Sequence, residues 1–373
     1  MNTLIRFLSF EAIENCATCL NYKIDSVIFF GYQQIIDRKR KGIQNFLNNV
    51  CNTECVFIPV DEKTLSELHD MINDLIKDDH YYFDLTGCEG SCEVAFINIA
   101  YQKNIPMHIY DVHKRKAYYV DDDINGTIND VEKRDIRIRI SDYIKMYGGS
   151  IRFEKNTRHK NFMNENTFRN LAQIIKKNGS QWSYYVSLFQ RMQRDKLLTY
   201  TKNLSEQINQ IGYPIKRGQL YEMLEELESV GLIEDLRQNV EQVSFSFANN
   251  SVRHYLTDNG AVLEEIVYRE EKKTADDCMM SVNLDWDGIA EETTERDVVN
   301  EIDVLSLNGY ELTFISCKNT VRIRKEDLYE LETITRKFGG KYARMKLATT
   351  ADISLIEMER AKSMGVEIIK FNP

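Results

Sequence analysis

Five short runs rich in β-branched and aromatic residues punctuate the first third of the chain: 2–9 (NTLIRFLS), 24–30 (IDSVIFF), 55–60 (CVFIPV), 81–86 (YYFDLT) and 107–112 (MHIYDV). Helix-length stretches lie between them, such as 63–77 (KTLSELHDMINDLIK) and 91–104 (SCEVAFINIAYQKN). Parallel neighbours need a crossover long enough to hold a helix, so the alternation predicts βαβ units and a Rossmann-like domain over 1–150. The runs at 116–121 (KAYYVD) and 136–147 (IRIRISDYIKMY) read as further strands at a sheet edge.

From about 160 the period changes to helical: TFRNLAQIIKK, YVSLFQRMQRDKL, SEQINQI and RGQLYEMLEELESVGLIED, then the alternating QVSFSFAN. This order predicts a winged-helix-like unit over 151–250. Its third helix is a poor DNA reader, because YEMLEELESVGLIED carries six acids and no base, whereas groove-reading helices need Arg, Lys, Asn or Gln. It reads as a scaffold or dimerising linker. The last region, 251–373, opens with a helix over 259–273 (NGAVLEEIVYREEKK) and a strand at 282–284. Strands at 301–307 (EIDVLSL) and 311–317 (ELTFISC) follow, joined through Asn308-Gly309-Tyr310, a strong hairpin signal. A helix at 325–337, a strand at 344–349, a helix at 353–363 and a strand at 367–371 complete a small α/β unit.

The 373 residues, 43% hydrophobic and 28% charged, are enough for two or three ordinary domains and exclude a chain that is mainly disordered or fibrous. No run approaches the length of a membrane span, and the amino terminus lacks a signal-peptide pattern, so a soluble cytoplasmic protein is expected. A net charge of −10 argues against a surface that coats nucleic acid as a whole. The eight cysteines, including the pairs Cys16/Cys19, Cys51/Cys55 and Cys88/Cys92, read better as reduced, buried thiols than as a zinc site.

Candidate chemistry sits on the hairpin. Pairing through Asn308-Gly309 brings Asp303 opposite the strand that carries Lys318. A carboxylate that holds a divalent cation beside an ammonium suits phosphodiester cleavage, and Glu264 or Glu265 on the preceding helix could add an acid. Nine bases lie between Ile315 and Thr350 against four acids, which suggests a local groove for a phosphate backbone. In the first domain, Asp84-Leu85-Thr86-Gly87-Cys88-Glu89-Gly90-Ser91 is a glycine-containing turn that opens a helix after a strand, the usual place for an anionic ligand in a doubly wound sheet. G-x-G-x-x-G after the first strand and a P-loop are both absent.

The string NEIDVLSLNGYELTFISCKN (300–319), preceded by GAVLEEIVY (260–268), resembles the restriction-endonuclease-like PD-(D/E)xK nucleases. More narrowly, it resembles the type III CRISPR ancillary nucleases that join such a domain to a CRISPR-associated Rossmann fold (CARF). The resemblance implies Asp303 and Glu264 as metal ligands with Cys317 in the metal shell, Lys318 as the motif lysine, and Mn²⁺ or Mg²⁺ as cofactor. Ser316 stands where the motif carries its second acid and joins the candidate catalytic set; Glu301, Glu265, Glu291, Glu292 and Glu295 are acids that could substitute. The Thr-Gly turn resembles the CARF ligand loop, with Cys88 and Glu89 replacing parts of it. The implied ligand is a cyclic oligoadenylate, most simply the tetra-adenylate, shared by a homodimer and lined by Ser9, Phe10, Gly31, Tyr32, Thr86, Gly87, Cys88, Glu89, Gly90 and Ser91. His113, Lys114 and Arg115 after the fifth strand either cap the ring or face solvent. The activity implied is ligand-gated cleavage of single-stranded RNA or DNA in antiviral defence, transmitted through the helical linker. Two alternatives remain: a ligand-responsive winged-helix transcription regulator, and a ring nuclease that degrades the messenger.

Overall fold

The computed structural model describes residues 1–77, 80–120, 126–152, 163–194, 216–238, 243–286 and 299–371. The first five apolar runs become strands alternating with helices: β1 (Asn2–Phe7), β2 (Ser26–Gly31), β3 (Glu54–Pro59), β4 (His80–Asp84) and β5 (Met107–Asp111). They are parallel, in the order β3-β2-β1-β4-β5, and β6 (Lys116–Tyr119) closes the edge antiparallel to β5. The strand order reverses between β1 and β4. A crevice therefore opens beyond their carboxyl ends, where Ser9-Phe10 and Thr86–Ser91 lie.

The expected strand over 136–147 does not form. The N–H groups of Arg134 and Ile136 donate to the carbonyls of Asn21 and Leu20 (2.8 and 3.1 Å) at the end of helix Ala12–Asn21, so they are not free to build a ladder. Ile138 and Ile140 still enter the core, and the chain turns into the helix Ile140–Met146. The alternation of IRIRI thus reports burial of one face without reporting strand pairing.

Helices Glu165–Asn178, Trp182–Arg194 and Arg217–Ser229, with the hairpin β8 (Ile233–Gln238) and β9 (Val243–Phe247), form the winged-helix-like unit. Leu171, Phe189, Leu224 and Phe245 fill its own core, which continues into the helix Asn250–Thr257 through Tyr255 and Leu256. Glu222, Glu225 and Glu228 are exposed on the third helix. The expected helix at 205–211 lies outside the described residues.

The last sheet runs β14-β13-β12-β11-β10-β7, with β10 (Asp277–Asp285), β11 (Val299–Asn308), β12 (Glu311–Lys318), β13 (Arg344–Thr349) and β14 (Val366–Lys370). Neighbours β10, β11 and β12 are antiparallel, while β12, β13 and β14 are parallel. Gly309 supplies the positive φ (58°) that the hairpin turn requires. The sixth strand, β7 (Ser150–Ile151), comes from the end of the first domain and pairs with Asp285 and Leu284.

One continuous apolar core therefore spans the first and last domains, from Leu4, Ile13 and Tyr143 to Leu284, Phe314 and Phe338. The two meet directly, and the helical unit is not the sole connection between them. Among the described residues no helix is long and apolar enough to cross a membrane.

Candidate active site

Strand pairing between β11 and β12 runs from Asn308–Glu311 only as far as Val304–Ile315. Beyond that point the strands part, and the Asp303 carboxylate fills the fork. Its Oδ2 accepts the Cys317 N–H at 2.6 Å and the Ser316 hydroxyl at 3.3 Å. Burial pushes the Asp303 carboxyl above its ordinary value; the Cys317 N–H and the Lys318 charge pull it down, while Glu301 adds to the rise. Asp303 and Lys318 thus share one electrostatic neighbourhood, as the hairpin register implies.

Glu264, in the first turn of helix Ala261–Lys272, reaches the same place. Ser281 donates to its Oε2 at 3.5 Å, and both Glu264 and Asp303 act on the thiol of Cys317. The helix is held against the sheet by Leu263 and Val267, which pack with Met280, Val304, Ile315 and Cys317. Ser281 is buried in the left-handed region (φ 52°) inside β10, a conformation that a non-glycine residue holds only where its surroundings enforce it.

Burial holds the Cys317 thiol well above its ordinary value, and a neutral thiol is no ligand for a hard cation. What residue 317 offers the site is its main chain. Glu265 is fully buried and engaged elsewhere, accepting Tyr255 Oη at 2.7 Å and Arg269 Nε at 2.6 Å. Glu301 is exposed near Asp303, and Glu291, Glu292 and Glu295 lie outside the described residues. Asp303, Glu264 and Ser316 are the side chains that could hold a divalent cation of the Mg²⁺ or Mn²⁺ kind, which takes one or two carboxylates and keeps water and phosphate in the rest of its shell. No group of three His, Cys, Asp or Glu side chains suited to a metal gathers among the described residues.

The nine bases do not make one groove. Lys341 pairs with Glu14, Arg344 with Glu311 and Lys346 with Glu271. Arg322, Arg324 and Lys325 follow Lys318 around the loop into helix Lys325–Phe338, beside Glu357, Asp327 and Glu326.

In the first domain, Arg6 on β1 and Asp84 on β4 stand side by side in the sheet, both fully buried, with Nη1 2.7 Å from Oδ2. Arg6 also donates to the Thr86 carbonyl at 3.0 Å, and Asp84 Oδ1 accepts the Thr86 N–H at 2.9 Å, so this pair shapes the Thr86-Gly87 turn. Thr86 Oγ1 is taken by the Tyr110 N–H (2.7 Å). Gly87 (φ 65°) lies so close to Ser9 and Glu14 that a Cβ there would stand 2.6 Å from Glu14 Oε2. Phe10, Tyr32, Glu89, Gly90 and Ser91 are exposed around the crevice and Cys88 is half-buried, while Gly31 is buried against Leu8. Glu89 caps helix Gly90–Lys103 without a side-chain hydrogen bond. His113 stacks edge-on to Tyr342, and Arg115 lies over the Tyr310 ring, so these two face the last domain.

The residue that sequence reasoning missed is Glu14. Its Oε2 accepts the Ser9 hydroxyl, while its Oε1 accepts Tyr342 Oη and Lys341 Nζ, each at 2.7 Å. It joins the crevice to the loop before β13. Nothing in the local pattern signals this, because the contact spans more than three hundred residues.

Residues 250–372 match the family model for the Card1-like endonuclease domain. No curated protein matches the sequence. Among solved structures, protein VC1899 from Vibrio cholerae is 17% identical with a TM-score of 0.72, and the match covers 99% of this chain and 94% of that one. Can2 from Sulfobacillus thermosulfidooxidans, solved in complex with cyclic tetra-adenylate, is 15% identical with a TM-score of 0.69, over 99% of this chain and 95% of that one. The chain thus shares the overall fold of those two proteins from end to end, and its last third is similar to the Card1-like endonuclease domain.

Proposed function

We propose that this protein is a metal-dependent endonuclease, switched on by a cyclic oligoadenylate, that cuts single-stranded RNA or DNA in type III CRISPR antiviral defence. The observation that supports the catalytic half is the fork at β11 and β12, where Lys318 acts on the charge of Asp303 and both Asp303 and Glu264 act on Cys317, within residues that match an endonuclease domain model. Asp303 and Glu264, with Ser316 beside them, would hold Mg²⁺ or Mn²⁺, which supplies Lewis-acid polarisation of the phosphate and a bound water of lowered pKa. Lys318 places its ammonium beside the scissile phosphate, orienting the attacking water and steadying the charge that grows on the phosphoryl oxygens. The exposed acids on helix Arg217–Ser229 weigh against a duplex-reading regulator.

The likeness to Can2, solved with cyclic tetra-adenylate, supports a ring of that kind as activator, bound at the crevice beyond β1 and β4. A two-fold ring suits a homodimer in which each copy offers the same loop to half of the ligand. Glu14 supplies a coupling route. A ligand that displaces Ser9 from its carboxylate alters what holds Lys341 and Tyr342, and the loop they belong to leads into β13, whose Thr349 pairs with Lys318.

The test is cleavage of labelled single-stranded RNA and DNA, with and without cyclic tetra-adenylate, in Mn²⁺ and in EDTA. Cleavage that needs both ring and metal is expected, falling roughly 100-fold or more in Asp303→Asn and Lys318→Ala while ring affinity is kept. Cutting that ignores the ring or survives EDTA would overturn the scheme, and linear oligoadenylate products would transfer the chemistry to the first domain.

A further inference from the structure

Immediately after Lys318 the chain runs into Asn319, Thr320 and Val321, which wall a cavity of about 370 Å³. Trp182 and Tyr184 of the helical unit and Leu263, the residue before Glu264, are among the others that line it. The cavity thus adjoins the segments that carry Glu264 and Lys318. That volume falls in the range of small-ligand sites, roughly 300–1,000 Å³.

The lining chemistry selects the occupant. In a chain with 28% charged residues, not one Asp, Glu, Lys or Arg among the described residues lines this cavity. A phosphate or an ion-paired side chain would therefore find no counter-charge inside, whereas aromatic faces beside amide groups are what an unstacked base requires. The two amides differ. Asn319 is engaged on both atoms, donating to the Asn259 carbonyl and accepting the Thr350 hydroxyl at 2.7 Å. Asn259 also lines the cavity, and its Oδ1 is buried with no hydrogen-bond donor among the described residues. At the mouth, Val321 is 95% exposed, placed to cover an apolar ring that enters.

We propose that this cavity is a nucleobase subsite: it takes one unstacked base of the strand being cut, next to the scissile phosphate, stacked by Trp182 or Tyr184 with the Asn259 amide at its edge. The inference rests on the nuclease reading and deepens it. It assigns a place in the molecule to sequence preference, because an amide that meets a base edge discriminates among bases.

The test uses full-length protein carrying Asp303→Asn, with single-stranded oligonucleotides bearing 2-aminopurine at each position in turn. Quenching at one position only is expected. Adding Tyr184→Ala or Asn259→Ala should relieve it and weaken binding of the intact strand roughly 5- to 150-fold. The same variants should leave unchanged the affinity for a strand that is abasic at that position. Quenching spread evenly along the strand, absence of binding, or equal weakening of intact and abasic strands would each overturn the subsite. Position-specific quenching with a wild type that never cleaves would sink the nuclease reading and leave the subsite standing. Cleavage without such quenching would do the reverse.

Discussion

Ser316 is the residue at which this fork departs from its motif, and its hydroxyl now donates to Asp303. Ser316→Asp would place a second carboxylate against one that burial already pushes up. The variant is expected to melt at a lower temperature than wild type in EDTA and to regain that loss in Mn²⁺, as calorimetry at matched pH would show. A loss that Mn²⁺ does not restore would mean that no cation sits there. His108 makes a second case. It is buried beside Asp84, and burial holds its pKa below the ordinary 6.5. Below about pH 6.5 the unfolded chain takes up a proton that the folded chain refuses, so stability falls as pH drops through that value. In His108→Gln the pH dependence of the melting temperature between about pH 5 and 6.5 should flatten.

At the scale of elements, the long strands and the Asn-Gly hairpin were legible because period and turn chemistry are local. The nearness of Asp303 and Lys318 follows from the same hairpin, although the registered pairing stops at Val304 and Ile315 before it reaches them. The segment 136–147 misled because alternation reports which side chains are buried, whereas strand identity depends on where N–H groups go, and those of Arg134 and Ile136 go to a helix end. Glu14 and Asn259 were illegible: one acts on Lys341 and Tyr342, the other is defined by the donor it lacks. The buried pair Arg6 and Asp84 did leave a trace, as isolated opposite charges within two apolar strands. The helix Ala12–Asn21 carries Glu14 between the crevice and the loop before β13. Glu14→Gln keeps the shape and removes the charge that holds Lys341. The ring should still bind Glu14→Gln within about threefold, while its acceleration of cleavage shrinks by roughly tenfold, the range of ordinary coupling energies. Unchanged activation would exclude this route.

For the whole molecule, a ring shared across a two-fold axis should bind with one ligand per two chains, measurable by titration calorimetry. At about a hundred times its dissociation constant it should add roughly 2.7 kcal/mol of stability. One ligand per chain would argue against sharing.

The two residues of β7 lend the last sheet its outer edge from the far end of the first domain, and Tyr143 packs in the same core as Phe338. The receptor and the blade are therefore not interchangeable cassettes. A chimera spliced at residue 150 or 250 would strip β10 of part or all of its β7 partner and leave half of a common interior wet. Inside one chain no swivel separates them, so the proposed signal would have to cross as a shift of a few packed side chains.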